Sequence, residues 1–131
     1  MVAYFAGIDV GSTMTKAVIL NQGIISSIIG PTGPEQRRLA NKVMEEALKR
    51  ADISLQEITY IVSTGYGRIN VPFADKQFTE ITCHAKGIVS LFPKAKTIID
   101  VGGQDIKAIK VDTTGKTIDF VMNDKCAAGS G

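Results

Sequence analysis

Long apolar runs are missing from this sequence, and so is a basic leader: "MVAYFAGIDVG" opens without lysine or arginine and meets an aspartate at position 9. No stretch approaches the roughly 20 apolar residues of a membrane span, and no signal peptide is read, so the expectation is a cytoplasmic protein with no membrane partner. Charge of one sign is scarce too. Fifteen lysines and arginines against 13 acids leave a net charge of +2, and cations alternate with acids along Glu45, Glu46, Lys49, Arg50 and Asp52. That is not a nucleic-acid footprint, and no nucleic-acid partner is expected.

Cysteine is sparse: Cys83 and Cys126 lie far apart with no C-x-x-C, which argues against a disulfide framework and a self-contained zinc site. A metal at either needs ligands from elsewhere. Read by itself, each is a small buried residue. The one histidine, His84 in "TCHA", has no acidic neighbour in the sequence that identifies a partner, so it reads as a helix residue satisfied locally. Also missing are G-x-x-x-x-G-K-[ST] and any G-x-G-x-x-G after a strand, which excludes P-loop and Rossmann nucleotide sites.

What is present is 131 residues, 44% hydrophobic and 21% charged, enough to bury a core along most of the length. Residues 3–10, 16–20 and 24–29 read as a three-stranded meander, with "NQG" as a tight turn. The spacing of Leu39, Val43, Ala47, Leu48 and Ala51 predicts a helix over 35–51. "ITYIVSTG" (58–65) reads as a strand. Phe78, Ile81, Ala85, Ile88, Val89 and Phe92 predict a second helix over 76–92, closed by Pro93. Strands follow at 97–101, 105–111 and 117–123, the last two joined by "TTG". Met14, Met44 and Met122 read as core fillers. "GYGR" (65–68) reads as a turn at a lobe edge or a dimer contact.

The order is βββαβα and then βββ again, and the recurrence extends to residues. "IDVGSTMTKAVIL" from Ile8 and "IDVGGQDIKAIKV" from Ile99 share Ile-Asp-Val-Gly, and Asp9 precedes Lys16 by the same distance as Asp100 precedes Lys107. A duplicated lobe is the reading: 1–95 as the first α/β lobe and 96–131 as the start of a second, truncated one. Strands of that second copy would expose an apolar face. The chain therefore reads as the N-terminal piece of a longer protein.

Each copy ends its first strand on aspartate, then glycine, then a small polar turn. One such loop is better explained by a capped hairpin; two matched copies on facing lobes reverse that and suit polyphosphate. Gly11 removes the Cβ that would block approach, Ser12 and Thr13 offer N–H groups and hydroxyls, and Lys16 supplies a cation. Asp9 would hold Mg²⁺ through water. In the second loop Gly102 and Gly103 repeat the exposed turn, while Asp100 and Gln104 would orient a water for in-line attack on a γ-phosphate.

Paired Asp-x-Gly hairpins on such lobes resemble the actin, sugar kinase and heat-shock ATPase superfamily, with ribonuclease-H-like lobes. The strings "GIDVGST", "STGYGR", "ADKQ", "TCHAKG", "IDVGGQD" and "MNDKCAAGSG" go further. From residue 7 onward they resemble the ATP-dependent activators of 2-hydroxyacyl-CoA dehydratases, the BadF/BadG/BcrA/BcrD ATPases shared with benzoyl-CoA reductase. The resemblance implies a homodimer with one [4Fe–4S] cluster between subunits, ATP hydrolysis to ADP, and transfer of a low-potential electron to a dehydratase or reductase. Flavodoxin or ferredoxin is the implied donor.

By this resemblance Asp9, Gly11, Ser12, Thr13 and Lys16 bind ATP in the first loop, and Gly102, Gly103, Gln104 and Asp105 in the second. Asp100, Gln104 and Lys16 are the implied catalytic set, and Cys126 the cluster ligand. In that setting a helix beginning past residue 131 would stabilise the anionic cluster. "CAAGSG" has Ser130 where the family carries threonine. Other readings are a benzoyl-CoA reductase-type subunit, or a cluster-free small-molecule kinase or actin-like ATPase.

Overall fold

The computed structural model describes residues 2–103 and 105–123. By its contacts the chain forms two compact units that divide after Phe78. The first holds a five-stranded sheet in the order β3-β2-β1-β4-β5. Strands β1 (Tyr4–Val10), β2 (Met14–Leu20) and β3 (Ile24–Pro31) form the predicted antiparallel meander. Helix α1 (Gln36–Ala51) then crosses over, and β4 (Ile58–Thr64) returns parallel to β1. The two-residue strand β5 (Lys76–Gln77) pairs with β4.

Alternation decides which face is covered. Ala6, Ile8 and Val10 of β1 and Ala17 and Ile19 of β2 point one way and are buried with Ala40, Val43, Met44, Ala47 and Leu48 of α1. Asp9 and Lys16, one residue out of phase, are half-buried on the other face. Ser26 on β3 donates a 2.8 Å hydrogen bond to the Ala47 carbonyl, which fixes α1 on the sheet. The helix ends on Asp52, left-handed at φ 55°, with Lys49 and Arg50 in its last turn facing the negative end of its dipole.

The second unit holds α2 (Glu80–Leu91) and an antiparallel sheet of β6 (Thr97–Val101), β7 (Ile106–Val111) and β8 (Thr117–Asn123). Ala85 and Val89 of α2 close a small core with Ile98, Ile109 and Val111. Although the spacing predicts a helix over 76–92, α2 begins only at Glu80. Thr79 caps it by accepting from the Thr82 N–H, while the Phe78 N–H is drawn to the Ser63 carbonyl of β4. Phe92 leaves the predicted apolar face for solvent.

The sequence repeat is present as strand register. Ile8, Asp9 and Val10 oppose Ala17, Lys16 and Thr15; Ile99, Asp100 and Val101 oppose Ala108, Lys107 and Ile106. Of the three methionines read as core fillers, only Met44 is buried. Met14 follows the exposed turn and Met122 lies on β8, and both are exposed.

Candidate functional site

Strands β1 and β4 run parallel, so both present C-terminal ends at one edge of the first sheet, where such folds place ligands. After β1 the chain turns through Gly11, whose N–H donates to the Met14 carbonyl at 3.0 Å. A Cβ at Gly11 would lie 2.9 Å from that carbonyl oxygen and 3.1 Å from Lys16 Nζ. Ser12 and Thr13 stand exposed at the tip, and the Thr13 carbonyl accepts from the Thr32 N–H at 2.8 Å, tying the turn to the end of β3. Lys16 Nζ meets Asp9 Oδ2 at 3.2 Å, with its side chain 41% exposed.

The "GYGR" segment has a definite place, which the sequence left open between an edge turn and a dimer contact. It wraps the end of β1. The Gly67 N–H donates to the Val10 carbonyl at 2.8 Å, and Arg68 Nη1 donates to the Gly65 carbonyl at 3.0 Å. Gly65 has φ +93°, and a Cβ there would run into Asp9 Oδ1 and the Val10 carbonyl; one at Gly67 would come within 2.5 Å of Val10. Both glycines are needed for the loop to close on Asp9. Glycines at 65 and 67 directly after a predicted strand were the available signal.

The second hairpin makes the same turn: the Gly102 N–H donates to the Asp105 carbonyl at 2.8 Å, with Gly103 exposed beside it. Its electrostatics differ. Lys107 is buried and gives its ammonium to Asp105 Oδ1 at 2.6 Å, leaving Asp100 Oδ2 at 3.8 Å. That oxygen is met instead by His84 Nδ1 at 2.7 Å. The expectation of a locally satisfied His84 is therefore corrected: its partner lies 16 residues on, brought near because α2 packs on the face of β6 that carries Asp100. Cys83, read as buried core, is half-buried, since Ala85 and Val89 take the inward positions of α2.

The structure thus gathers Asp9, Gly11, Ser12, Thr13 and Lys16 in one hairpin, and Asp100, Gly102, Gly103 and Asp105 in the other. Gln104 and Cys126 lie outside the described residues. Among the described residues no three His, Cys, Asp or Glu side chains converge as a metal cluster. The donor set at Asp9, one carboxylate beside an exposed cation, fits a hydrated Mg²⁺ completed by phosphate oxygens rather than an all-protein cage. A depression of about 770 Å³ along the first turns of α1, lined by residues such as Gln36, Arg38, Lys42 and Asn70, includes none of the hairpin residues. No described helix is long and apolar enough to cross a membrane.

A ribonuclease-H-like lobe of this topology, followed by a second Asp-x-Gly hairpin in the same register, defines the actin-like ATPase class. Residues 6–131 match the BadF/BadG/BcrA/BcrD ATPase family, and the chain belongs to it. It is 47% identical to the activator of lactoyl-CoA dehydratase of Anaerotignum propionicum, over 98% of this chain and 50% of that protein. The component A structure of the (R)-2-hydroxyglutaryl-CoA dehydratase of Acidaminococcus fermentans superposes with a TM-score of 0.89 at 39% identity, over 95% of this chain and 49% of that one. The ADPNP-bound activator of the 2-hydroxyisocaproyl-CoA dehydratase of Clostridium difficile gives 0.85 at 41% identity, over 95% and 47%. The chain spans about half the length of these relatives.

Proposed function

We propose that this protein is an ATP-hydrolysing iron–sulfur activator that passes a low-potential electron to a 2-hydroxyacyl-CoA dehydratase. The observation that carries the reading is likeness along nearly the whole chain to such activators, one of them holding an ATP analogue. The hairpin geometry supports the ATP part. Of the two matched lysines Lys16 is the more exposed, its side chain 41% accessible beside Asp9, whereas Lys107 is buried and engaged by Asp105, so phosphate charge falls to Lys16.

In this reading Ser12 and Thr13 take phosphate oxygens at a turn that Gly11 leaves open to close approach, and Asp9 holds Mg²⁺ through water. Asp100 and Gln104 align the attacking water; Gly102, Gly103 and Asp105 shape the second turn. Cys126 is the proposed ligand of a [4Fe–4S] cluster, a one-electron carrier, shared between the subunits of a homodimer. Flavodoxin or ferredoxin is the proposed donor and the cytoplasm the proposed location. We keep 1–95 and 96–131 as the proposed lobes, with α2 packed on the opening sheet of the second.

The test is ATP hydrolysis and dehydratase activation by the full-length protein, with Lys16→Ala beside it. The expected result is hydrolysis lowered about 100-fold in the variant, the scale of losing one charge-stabilising group. An unchanged rate, or phosphorylation of a small molecule by the wild type, would count against the reading.

A further inference from the structure

We propose that His84 is a positioning residue for ATP hydrolysis, holding Asp100 by one carboxylate oxygen so that the other faces the reacting water. This rests on the proposed role of Asp100. The inference starts from a difference between two hairpins that share a register. In the first, Asp9 Oδ2 is met by the lysine directly across the pair, at 3.2 Å. In the second, the matching lysine has turned away: Lys107 Nζ is 2.6 Å from Asp105 Oδ1 and 3.8 Å from Asp100 Oδ2. Asp105 stands where the first hairpin has Met14, so the diversion is written in the sequence.

His84 fills the gap, 2.7 Å from the same Oδ2. A carboxylate only accepts, so with Asp100 ionised the proton lies on Nδ1, and the bond is a short, charge-assisted one. The aspartate χ2 torsion is otherwise soft and exchanges its two oxygens. Ala85, next along α2, is fully buried with Val89 against Ile98 and Ile109, which fixes the helix and with it the imidazole. Among the described residues Asp100 Oδ1 has no hydrogen-bond partner, and the side chain is 18% exposed, enough to meet a water.

The experiment uses the full-length protein and measures kcat and KM for ATP, with thermal melting, for Asp100→Asn, His84→Ala, His84→Asn and His84→Gln. Asparagine sets a side-chain N–H near the place of Nδ1–H; glutamine does not. We expect His84→Ala to lower kcat about 10- to 100-fold with KM nearly unchanged, since misplaced catalytic groups cost rate rather than binding. We expect His84→Asn to return kcat to within about threefold of wild type and His84→Gln to remain low. If His84→Ala does not fold, the Asn and Gln variants decide alone. The proposal is overturned if Asp100→Asn loses hydrolysis while His84→Ala does not, or if Asn and Gln behave alike. Wild-type hydrolysis by Asp100→Asn would instead remove the role of Asp100, and this proposal with it.

Discussion

Gly65 carries a constraint out of proportion to its size. Its φ of +93° is costly for any other residue, and the space where a side chain would start is taken by Asp9 Oδ1 and the Val10 carbonyl. Gly65→Ala is expected to cost about 1–3 kcal/mol and to push Asp9 off its contact with Lys16. Thermal melting together with nucleotide affinity checks this. Both should fall; loss of stability with unchanged affinity would mean that Asp9 does not serve the nucleotide. The sequence showed Asp9 and Lys16 as a repeated pair, because spacing of seven around a hairpin is a local property. It did not show that Gly65 backs them, since a parallel pairing across 54 intervening residues leaves no local trace.

Among the elements, the meanders were the most legible, since alternation and turn residues specify antiparallel neighbours locally. Helix α2 was less so. Phe78 and Phe92 continue its apolar spacing in sequence, but Thr79 caps the start, the Phe78 N–H is hydrogen-bonded to the Ser63 carbonyl of β4, and the helix ends at Leu91, so both rings lie outside it. The β7–β8 turn is closed by backbone bonds from Asp112 to Lys116 and from Gly115 to Asp112, and one side chain reinforces it. Asp112 Oδ1 accepts from Thr114 Oγ1 at 2.7 Å, the Thr114 N–H at 2.8 Å and the Lys116 N–H at 3.0 Å. The hydrogen bond from the Thr114 hydroxyl, followed by those from the Lys116 and Thr114 N–H groups, holds its carboxyl below the usual carboxylate range. A depressed folded value stabilises above the unfolded value and is lost as pH falls through the folded one. Asp112→Ala should therefore lower the melting temperature at neutral pH, and the gap from wild type should close below about pH 4.

Across the whole molecule, the two sheets differ in what covers them. Ile8 and Val10 are buried under α1, whereas their repeat counterparts Ile99 and Val101 are 63% and 69% exposed, joined on the same face by Ile106 and Val121. Helix α2 packs on the opposite face, with Ile98, Ile109 and Val111. An apolar sheet face of this kind requires a cover of its own, and the relatives are about twice as long as this chain. Residues 1–131 expressed alone are expected to bind a hydrophobic dye strongly and ATP weakly, compared with the full-length protein in the same fluorescence titrations. Tight ATP binding by the isolated segment would show that the first lobe and this opening sheet suffice.

As proposed, ATP hydrolysis in this protein serves electron transfer through a cluster held by Cys126. The direct measurement is the absorption spectrum and iron content of the full-length protein purified without oxygen, beside Cys126→Ser. The wild type is expected to be brown, with broad absorption near ~400 nm from iron–sulfur thiolate charge transfer, and the variant to lose it. A colourless, iron-free wild type would contradict the proposal.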